Sequence, residues 1–188
     1  MSPLELVASA IGIVAVWLTV RQNRWCWPLG LVMVLMYAWI FYDGKLYSNM
    51  LLQGVYAVLQ GYGWWLWTRG GDSHNGVHVT RLSAQGLWLS LCIGVAASLA
   101  LGYLMATFTD AAAPWQDATL SAFSLVAQVW MAQKRVECWP LWVALDVLFV
   151  ALFIQQGLFP TAALYGVFTL LALHGWLTWR RDRALVAA

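Results

Sequence analysis

Long uncharged runs, cut by short clusters of charged and turn residues, divide the chain into seven apolar segments. They cover residues 4–20, 27–42, 46–67, 86–108, 118–131, 139–154 and 161–179. A straight bilayer span needs roughly 20 apolar residues, so each segment reads as a transmembrane helix. The second, fifth and sixth are short; they cross with little tilt or draw in flanking polar residues. Connections are brief except for the polar stretch GGDSHNGVHVTRLSAQ over residues 70–85, a loop and not a domain linker. The pattern predicts an all-α polytopic membrane protein with seven transmembrane helices.

The second prediction is an internal repeat. Sliding the chain against itself by 112 residues aligns 26–69 with 138–181 without a gap, and 14 of the 44 positions are identical. The match opens on Cys-Trp-Pro-Leu at Cys26 and Cys138, and includes Gly54/Gly166, Gly63/Gly175, Trp64/Trp176 and Trp67/Trp179. Upstream, Ser9-Ala10 matches Ser121-Ala122, and Val14-Ala15 matches Val126-Ala127. The first and fifth helices lie four crossings apart and point the same way, so the repeats are parallel. The expected organisation is 1–69 as a first three-helix repeat, 70–110 as a loop and linker helix, and 111–188 as a second repeat with a tail. Parallel repeats are a transporter architecture, with the substrate site near mid-membrane at the repeat interface. A duplicated scaffold without transport is the alternative.

Composition agrees with a bilayer as solvent. The 188 residues are 62% hydrophobic and 10% charged, against about 45–50% and about 25% in soluble domains. A net charge of +2, with no basic patch among aromatics, argues against nucleic acid. Three cysteines, Cys26, Cys92 and Cys138, form no disulfide framework and read as apolar packing. The N-terminus lacks a basic stretch before its apolar run, so the first helix is expected to be retained. Alternate loops hold Arg21 and Arg24, Arg69 and Arg81, Lys134 and Arg135, then Arg180, Arg181 and Arg183; only Lys45 falls on the other side. The positive-inside rule then predicts an outside N-terminus and a cytoplasmic C-terminus.

Within this apolar background a few polar groups stand out. Seven of the eight acidic residues fall in loops or near segment ends, whereas Asp146 lies inside the sixth segment. A carboxylate there costs about 2.5–3.5 kcal/mol on insertion scales, so it should face the bundle interior or a wet cavity. Helical periodicity puts Trp139, Trp142, Asp146, Phe149 and Phe153 on one stripe. An aromatic wall with one acid suits a flat, partly cationic ligand; a carboxylate bonded only to neighbouring helices is the plainer reading. On the third helix, Gln53, Tyr56, Gln60, Trp64 (or Gly63) and Trp67 share a face. Their amides need partners from another helix or from a ligand with carboxamide or hydroxyl groups. In the repeat alignment Asp146 meets Val34, while Gln53 and Gln60 meet Tyr165 and Ala172. A site on the pseudo-axis is therefore chemically lopsided, as an asymmetric small molecule requires. His174 near the end of the last helix reads as a structural hydrogen-bonding residue, with a gating or binding role as the alternative. His74 and His78 are four apart but lie in a loop without a third ligand, so no metal site is expected. No P-loop or GxSxG motif is present.

Two stretches carry a resemblance. LYSNMLLQGVYAVLQGYGWWLW, residues 46–67, resembles the helix-3 signature of the Pnu vitamin transporters, and KRVECWPLWVALDV, residues 134–147, is similar to their second signature. Together with the repeat, the likeness covers essentially the whole chain. It implies a 3+1+3 fold similar to that of the SWEET sugar carriers. It also implies uptake by facilitated diffusion, with no ATPase and no obligatory ion, and trapping of the product by a cytoplasmic kinase; no enzyme activity and no cofactor are expected. Members carry nicotinamide riboside, and relatives carry thiamine, riboflavin or deoxynucleosides. The resemblance makes Trp64, Trp67, Trp139 and Trp142 ring-stacking residues, and Gln53 matches the family's Leu-Gln position. Cys138 and Gln60 stand where nicotinamide riboside carriers commonly have Asn. The reading is thus a bacterial inner-membrane carrier of nicotinamide riboside or thiamine, working by alternating access. Its expected substrate residues are Gln53, Tyr56, Gln60, Trp64, Trp67, Trp139, Trp142 and Asp146. The rival classes are a membrane enzyme, which lacks a nucleophile or metal cluster here, and a non-transporting receptor or assembly protein. The sequence leaves a homo-oligomer open.

Overall fold

A computed structural model describes residues 3–43, 47–71, 76–109, 113–155 and 157–186. Seven helices follow in order: α1 (Pro3–Val20), α2 (Cys26–Asp43), α3 (Tyr47–Arg69), α4 (Ala84–Phe108), α5 (Pro114–Ala132), α6 (Cys138–Gln155) and α7 (Phe159–Val186). The element count and order agree with the hydrophobic pattern. Among the described residues four stretches are long and apolar enough to cross a membrane, Pro3–Val20, Ala84–Phe108, Cys138–Gln155 and Phe159–Ala184; Cys26–Ile40 is a shorter apolar helix. The less apolar α3 and α5 are the helices that hold Gln53, Gln60, Ser121, Ser124 and Gln128. A bilayer tolerates such groups only where another helix or a cavity receives them.

Helix neighbours give the arrangement. Packed pairs are α1·α2, α2·α3, α3·α5, α5·α6, α6·α7 and α7·α1, which close a ring of six helices. Among the described residues, α5 is the one helix against which α4 packs, outside that ring. Its contact face is Gly94, Ser98 and Gly102, all buried, a small-xxx-small spacing that lets helices approach closely in lipid. An added Cβ at Gly94 would stand 2.9 Å from Phe123, and one at Gly102 2.4 Å from Trp115. Ser98 Oγ donates to Thr119 Oγ1 at 2.9 Å across the same contact. The outer surface keeps large apolar side chains exposed, among them Leu51, Val58, Trp88 and Phe108. In water such a surface would be an association hazard; around a helix ring it is the face that lipid covers.

The loops after α1 and α5 are copies in their hydrogen bonding. Gln22 N–H donates to Thr19 C=O at 2.9 Å and Asn23 N–H to Leu18 C=O at 2.9 Å. Residues 112 further on repeat this: Lys134 N–H donates to Met131 C=O at 3.0 Å and Arg135 N–H to Trp130 C=O at 2.8 Å. Each pair is a Schellman helix end. Each requires a left-handed residue, Gln22 at φ 53° and Lys134 at φ 50°, where glycine would be unstrained. The next bonds also correspond, Cys26 N–H to Asn23 C=O at 3.1 Å and Cys138 N–H to Arg135 C=O at 3.0 Å. One loop differs by what covers it. Thr80 pairs with the α5–α6 loop, donating to Lys134 C=O at 3.0 Å and accepting from Val136 N–H at 3.0 Å. Glu137 holds the same strap through Arg81 Nε at 3.2 Å and Leu82 N–H at 3.0 Å.

Most of the fully buried apolar volume lies at this end of the bundle, which also carries the basic loops. Cys26, Trp27, Trp67, Cys138, Trp139 and Trp179 belong to one cluster. Cys26 and Cys138 therefore pack as expected, whereas Cys92 sits on an exposed face of α4. Trp27 covers Gly63, where an added Cβ would be 2.3 Å from the ring, and Trp139 covers Gly175 at 2.6 Å. Gly63→Val and Gly175→Val are each expected to destabilise the protein in detergent by about 1–3 kcal/mol, the usual cost of overpacking. Gly54→Ala and Gly166→Ala, where an added Cβ meets nothing within 4 Å, should leave the thermal unfolding midpoint unchanged or raise it slightly.

Candidate functional site

Three layers can be followed inward from the basic end. The first is a tryptophan plug. Trp27 meets Trp67 edge-on with ring centres 5.4 Å apart, Trp139 meets Trp179 at 5.2 Å, and Trp67 and Trp179 lie 6.0 Å apart across the two halves. The indoles are tied down reciprocally. Trp67 Nε1 donates to Ala132 C=O at 2.9 Å, and Trp179 Nε1 donates to Val20 C=O at 3.1 Å. Ala132 ends α5 and Val20 ends α1. The last carbonyls of a helix have no partner within it, so each half supplies the bond that the other half's helix end lacks. Lys134 Nζ sits 4.5 Å from the Trp67 ring centre, a cation–π contact. Burial pulls its ammonium below the usual lysine range.

The second layer holds the amide and the acid. At 1.5 Å per residue, Gln60, seven residues before Trp67, and Asp146, seven after Trp139, each stand about 10 Å from the plug. Both are buried, Gln60 8% exposed and Asp146 4%. Gln60 fits because its neighbour on α2 is Gly30: a Cβ there would be 2.7 Å from the amide oxygen. The positions 112 residues on, Trp142 and Ala172, reverse these sizes. The large residue is now on α6 and the small one on α7, both in the apolar cluster. Trp142 keeps a buried Nε1–H without a hydrogen-bond partner. Among the described residues the Asp146 carboxylate makes no hydrogen bond or ion pair.

The third layer separates the two seams between halves. Tyr56 on α3 bonds Ser124 on α5. Ser124 Oγ gives its own proton to Ser121 C=O at 2.8 Å, so the tyrosine hydroxyl is the donor between them. The counterpart contact joins Phe168 and Gly12, where an added Cβ would be 3.4 Å from the ring. The α3·α5 seam thus carries Tyr56 and Ser124, and the α7·α1 seam carries Phe168 and Gly12 at the same positions; Gln60 and Gln128, both buried, answer to Ala172 and Val16 at the same offset. An aromatic group completes the interior: Tyr165 lies 4.9 Å from Phe149, 5.2 Å from Phe153 and 5.6 Å from Phe168.

These layers sort the sequence-based candidates. Tyr56, Gln60, Trp142 and Asp146 lie on the ring's interior side, with Gln53 half-buried two turns beyond Gln60. Trp67 and Trp139 belong to the plug below them. Trp64 is separated from this group: it packs on Trp25 at 5.7 Å and lines an outer cavity. The periodicity allowed either Gly63 or Trp64 on the inner face, and Gly63 is the inward one, because Trp27 occupies that space. Sequence reasoning missed Ser124, Gln128 and Tyr165. The first two were legible, since Ser121, Ser124 and Gln128 follow a helical spacing on one face of α5. His174 is exposed on α7 and lines a cavity of about 290 Å³ with Trp17, Arg21 and Asp182. His78 is exposed, and His74 and Lys45 lie outside the described residues.

Comparison with known proteins fits this picture. A family model described as nicotinamide mononucleotide transporter matches residues 2–181. The chain belongs to that transporter family. It is 26% identical to the nicotinamide riboside transporter PnuC of Escherichia coli (strain K12), over 97% of this chain and 88% of the relative. It is 28% identical to the riboflavin/roseoflavin transporter RibM of Streptomyces davaonensis, over 95% of this chain and 86% of that protein. In fold it matches the crystal structure of the vitamin B3 transporter PnuC with TM-score 0.76 and 24% identity, covering 95% of this chain and 80% of the other. Membership makes the chain a multi-pass membrane transporter and not an enzyme.

Trp67→Phe keeps most of the ring and strands the buried Ala132 carbonyl. The expected loss is about 1–3 kcal/mol of stability, read as a lowered unfolding midpoint in detergent. Trp65→Phe, on the exposed face of the same helix, should not move it.

Proposed function

We propose that this transporter takes up nicotinamide riboside by facilitated diffusion, with the two halves of the ring rocking about the layer of Gln60 and Asp146. The buried carboxylate of Asp146, about 10 Å behind an aromatic plug and with no hydrogen-bonding partner among the described residues, is the observation that carries this reading. An uncompensated acid inside a membrane protein is costly, and a flat aromatic cation offsets that cost each time it binds. Trp142 and the Phe149–Tyr165 rings frame the pyridinium. Gln60, Gln53, Tyr56 and the α5 residues Ser124 and Gln128 serve its carboxamide and ribose hydroxyls. Trp67 and Trp139 form the floor. The chemistry also suits release, because one charge and a few amides bind more weakly than a charged cage.

On this reading the halves are parallel three-helix repeats, residues 1–69 and 111–188, joined by residues 70–110, as in the SWEET-like arrangement. The positive-inside rule sets the basic end in the cytoplasm and the N-terminus outside, in a bacterial inner membrane. The plug then closes the cytoplasmic side, and opening requires the reciprocal bonds of Trp67 and Trp179 to part. A cytoplasmic kinase maintains the gradient by phosphorylating the product.

The test is uptake of labelled nicotinamide riboside, thiamine and riboflavin into proteoliposomes without ATP or an ion gradient. Nicotinamide riboside is expected to enter down its gradient and to compete with itself. Entry of thiamine or riboflavin alone would reassign the substrate within the family, and entry of none would sink the carrier reading. Asp146→Asn and Trp142→Ala should each weaken binding at least about tenfold, or about 1.4 kcal/mol, in protein that still elutes as folded. Gly30→Ala should also lower affinity by displacing the Gln60 amide; unchanged affinity in all three would remove this layer from the site.

A further inference from the structure

The structure contains a cavity apart from the layer of Gln60 and Asp146. It has a volume of about 610 Å³ and lies outside the ring at the basic end, lined by Arg24, Trp25, Trp64, Trp65, Thr68 and Arg69. Two guanidinium-bearing residues and three indoles meet there. Trp25 and Trp65 are 58% and 53% exposed, so their rings are open to what surrounds the bundle. Arg24 is exposed and has no acidic partner among the described residues. The cavity spans the α1–α2 loop and the last two turns of α3, the level at which apolar helix gives way to basic loop.

The corresponding surface of the other half is already occupied. There the strap from Thr80 to Leu82 bonds Val136 N–H and the Glu137 carboxylate. The residues 112 earlier are Arg24 and Trp25. Arg24 and Trp25 thus stand where the other loop presents Val136 and Glu137 to the strap.

We propose that this cavity binds the headgroup of an anionic phospholipid. Arg matches a phosphate with paired N–H donors. Indole rings settle at the level of the headgroups, and basic pockets beside transmembrane helices select anionic lipids. The phosphate lies between Arg24 and Arg69, the chains run along the lipid-facing side of α3, and Trp25, Trp64 and Trp65 pack against the glycerol region.

The probe is phosphatidylglycerol added to the purified full chain in detergent, read by thermal unfolding and by native mass spectrometry of retained lipid. Phosphatidylglycerol should raise the unfolding midpoint by about 3–5 °C, and phosphatidylcholine should not. Arg24→Gln, a change on an exposed loop, should halve the shift or more, and Arg24→Gln with Arg69→Gln should abolish it. Arg24→Lys with Arg69→Lys should retain part of it. Arg181→Gln with Arg183→Gln removes the same charge from the same end and should leave the shift intact. Trp65→Ala removes no charge and should still lower lipid retention. Equal effects of the two lipids, a full shift in Arg24→Gln/Arg69→Gln, or a loss matched by Arg181→Gln/Arg183→Gln would overturn the assignment. So would protection by inorganic phosphate or a nucleoside monophosphate without lipid, which would mark a soluble phosphate-ester site.

Discussion

Two hydrogen bonds hold the ring closed at its basic end: Trp67 to the carbonyl that finishes α5, and Trp179 to the carbonyl that finishes α1. Their importance comes from what would happen without them. A helix end buried in apolar surroundings leaves carbonyls that water cannot reach, at a cost of about 1–3 kcal/mol for each unmade bond. Neither half can satisfy its own, because Trp67 and Trp179 stand at the ends of α3 and α7 and reach only across the interface. Closure at this end is thus a property of the pair of halves, and it brings four indole rings into one layer. The same dependence makes the layer separable, since a movement that parts the halves breaks both bonds together.

Above the plug, the two seams have taken opposite chemistry on the same geometry. Tyr56 with Ser124 and Phe168 with Gly12 are one contact made twice, polar on one side and apolar on the other. Gln60 over Gly30 and Trp142 near Ala172 show the same exchange in size. On the proposed repeat organisation the two walls share one frame, while a pyridinium riboside has a charged ring at one end and hydroxyls at the other. The lopsided walls suit such a molecule on the proposed function, and the shared frame lets both halves move alike. Outside the ring the asymmetry continues: among the described residues the strap of Thr80 to Leu82 bonds the α5–α6 loop and not the α1–α2 loop.

The helix count, the basic end and the register of the repeat are legible in the sequence, because each rests on a local regularity. Apolar length marks a span, arginine and lysine mark an end, and a common offset aligns Cys26 with Cys138. Asp146 and Gln60 are legible as exceptions to that background. The assignment of the tryptophans is less so. Trp64 and Trp67 differ by three positions in a helix and in periodicity alone are near neighbours; one faces an outer cavity and the other the plug. What separates them is Trp27, packed into the gap left by Gly63, a residue 36 positions away in the chain. Ser124 and Gln128 escape notice because serine and glutamine in a helix are ordinary until another helix presents Tyr56 or an interior to them.

The sequence by itself determined that this is a membrane protein of seven helices with an internally repeated pattern, because bilayer thickness and residue polarity act on each segment separately. Only the tertiary structure decided which face of each helix looks inward, which indole closes the ring and which seam is polar. Those outcomes depend on pairs of surfaces, a glycine and the ring that fills it, a helix end and the donor that reaches it. No single segment contains both members of such a pair.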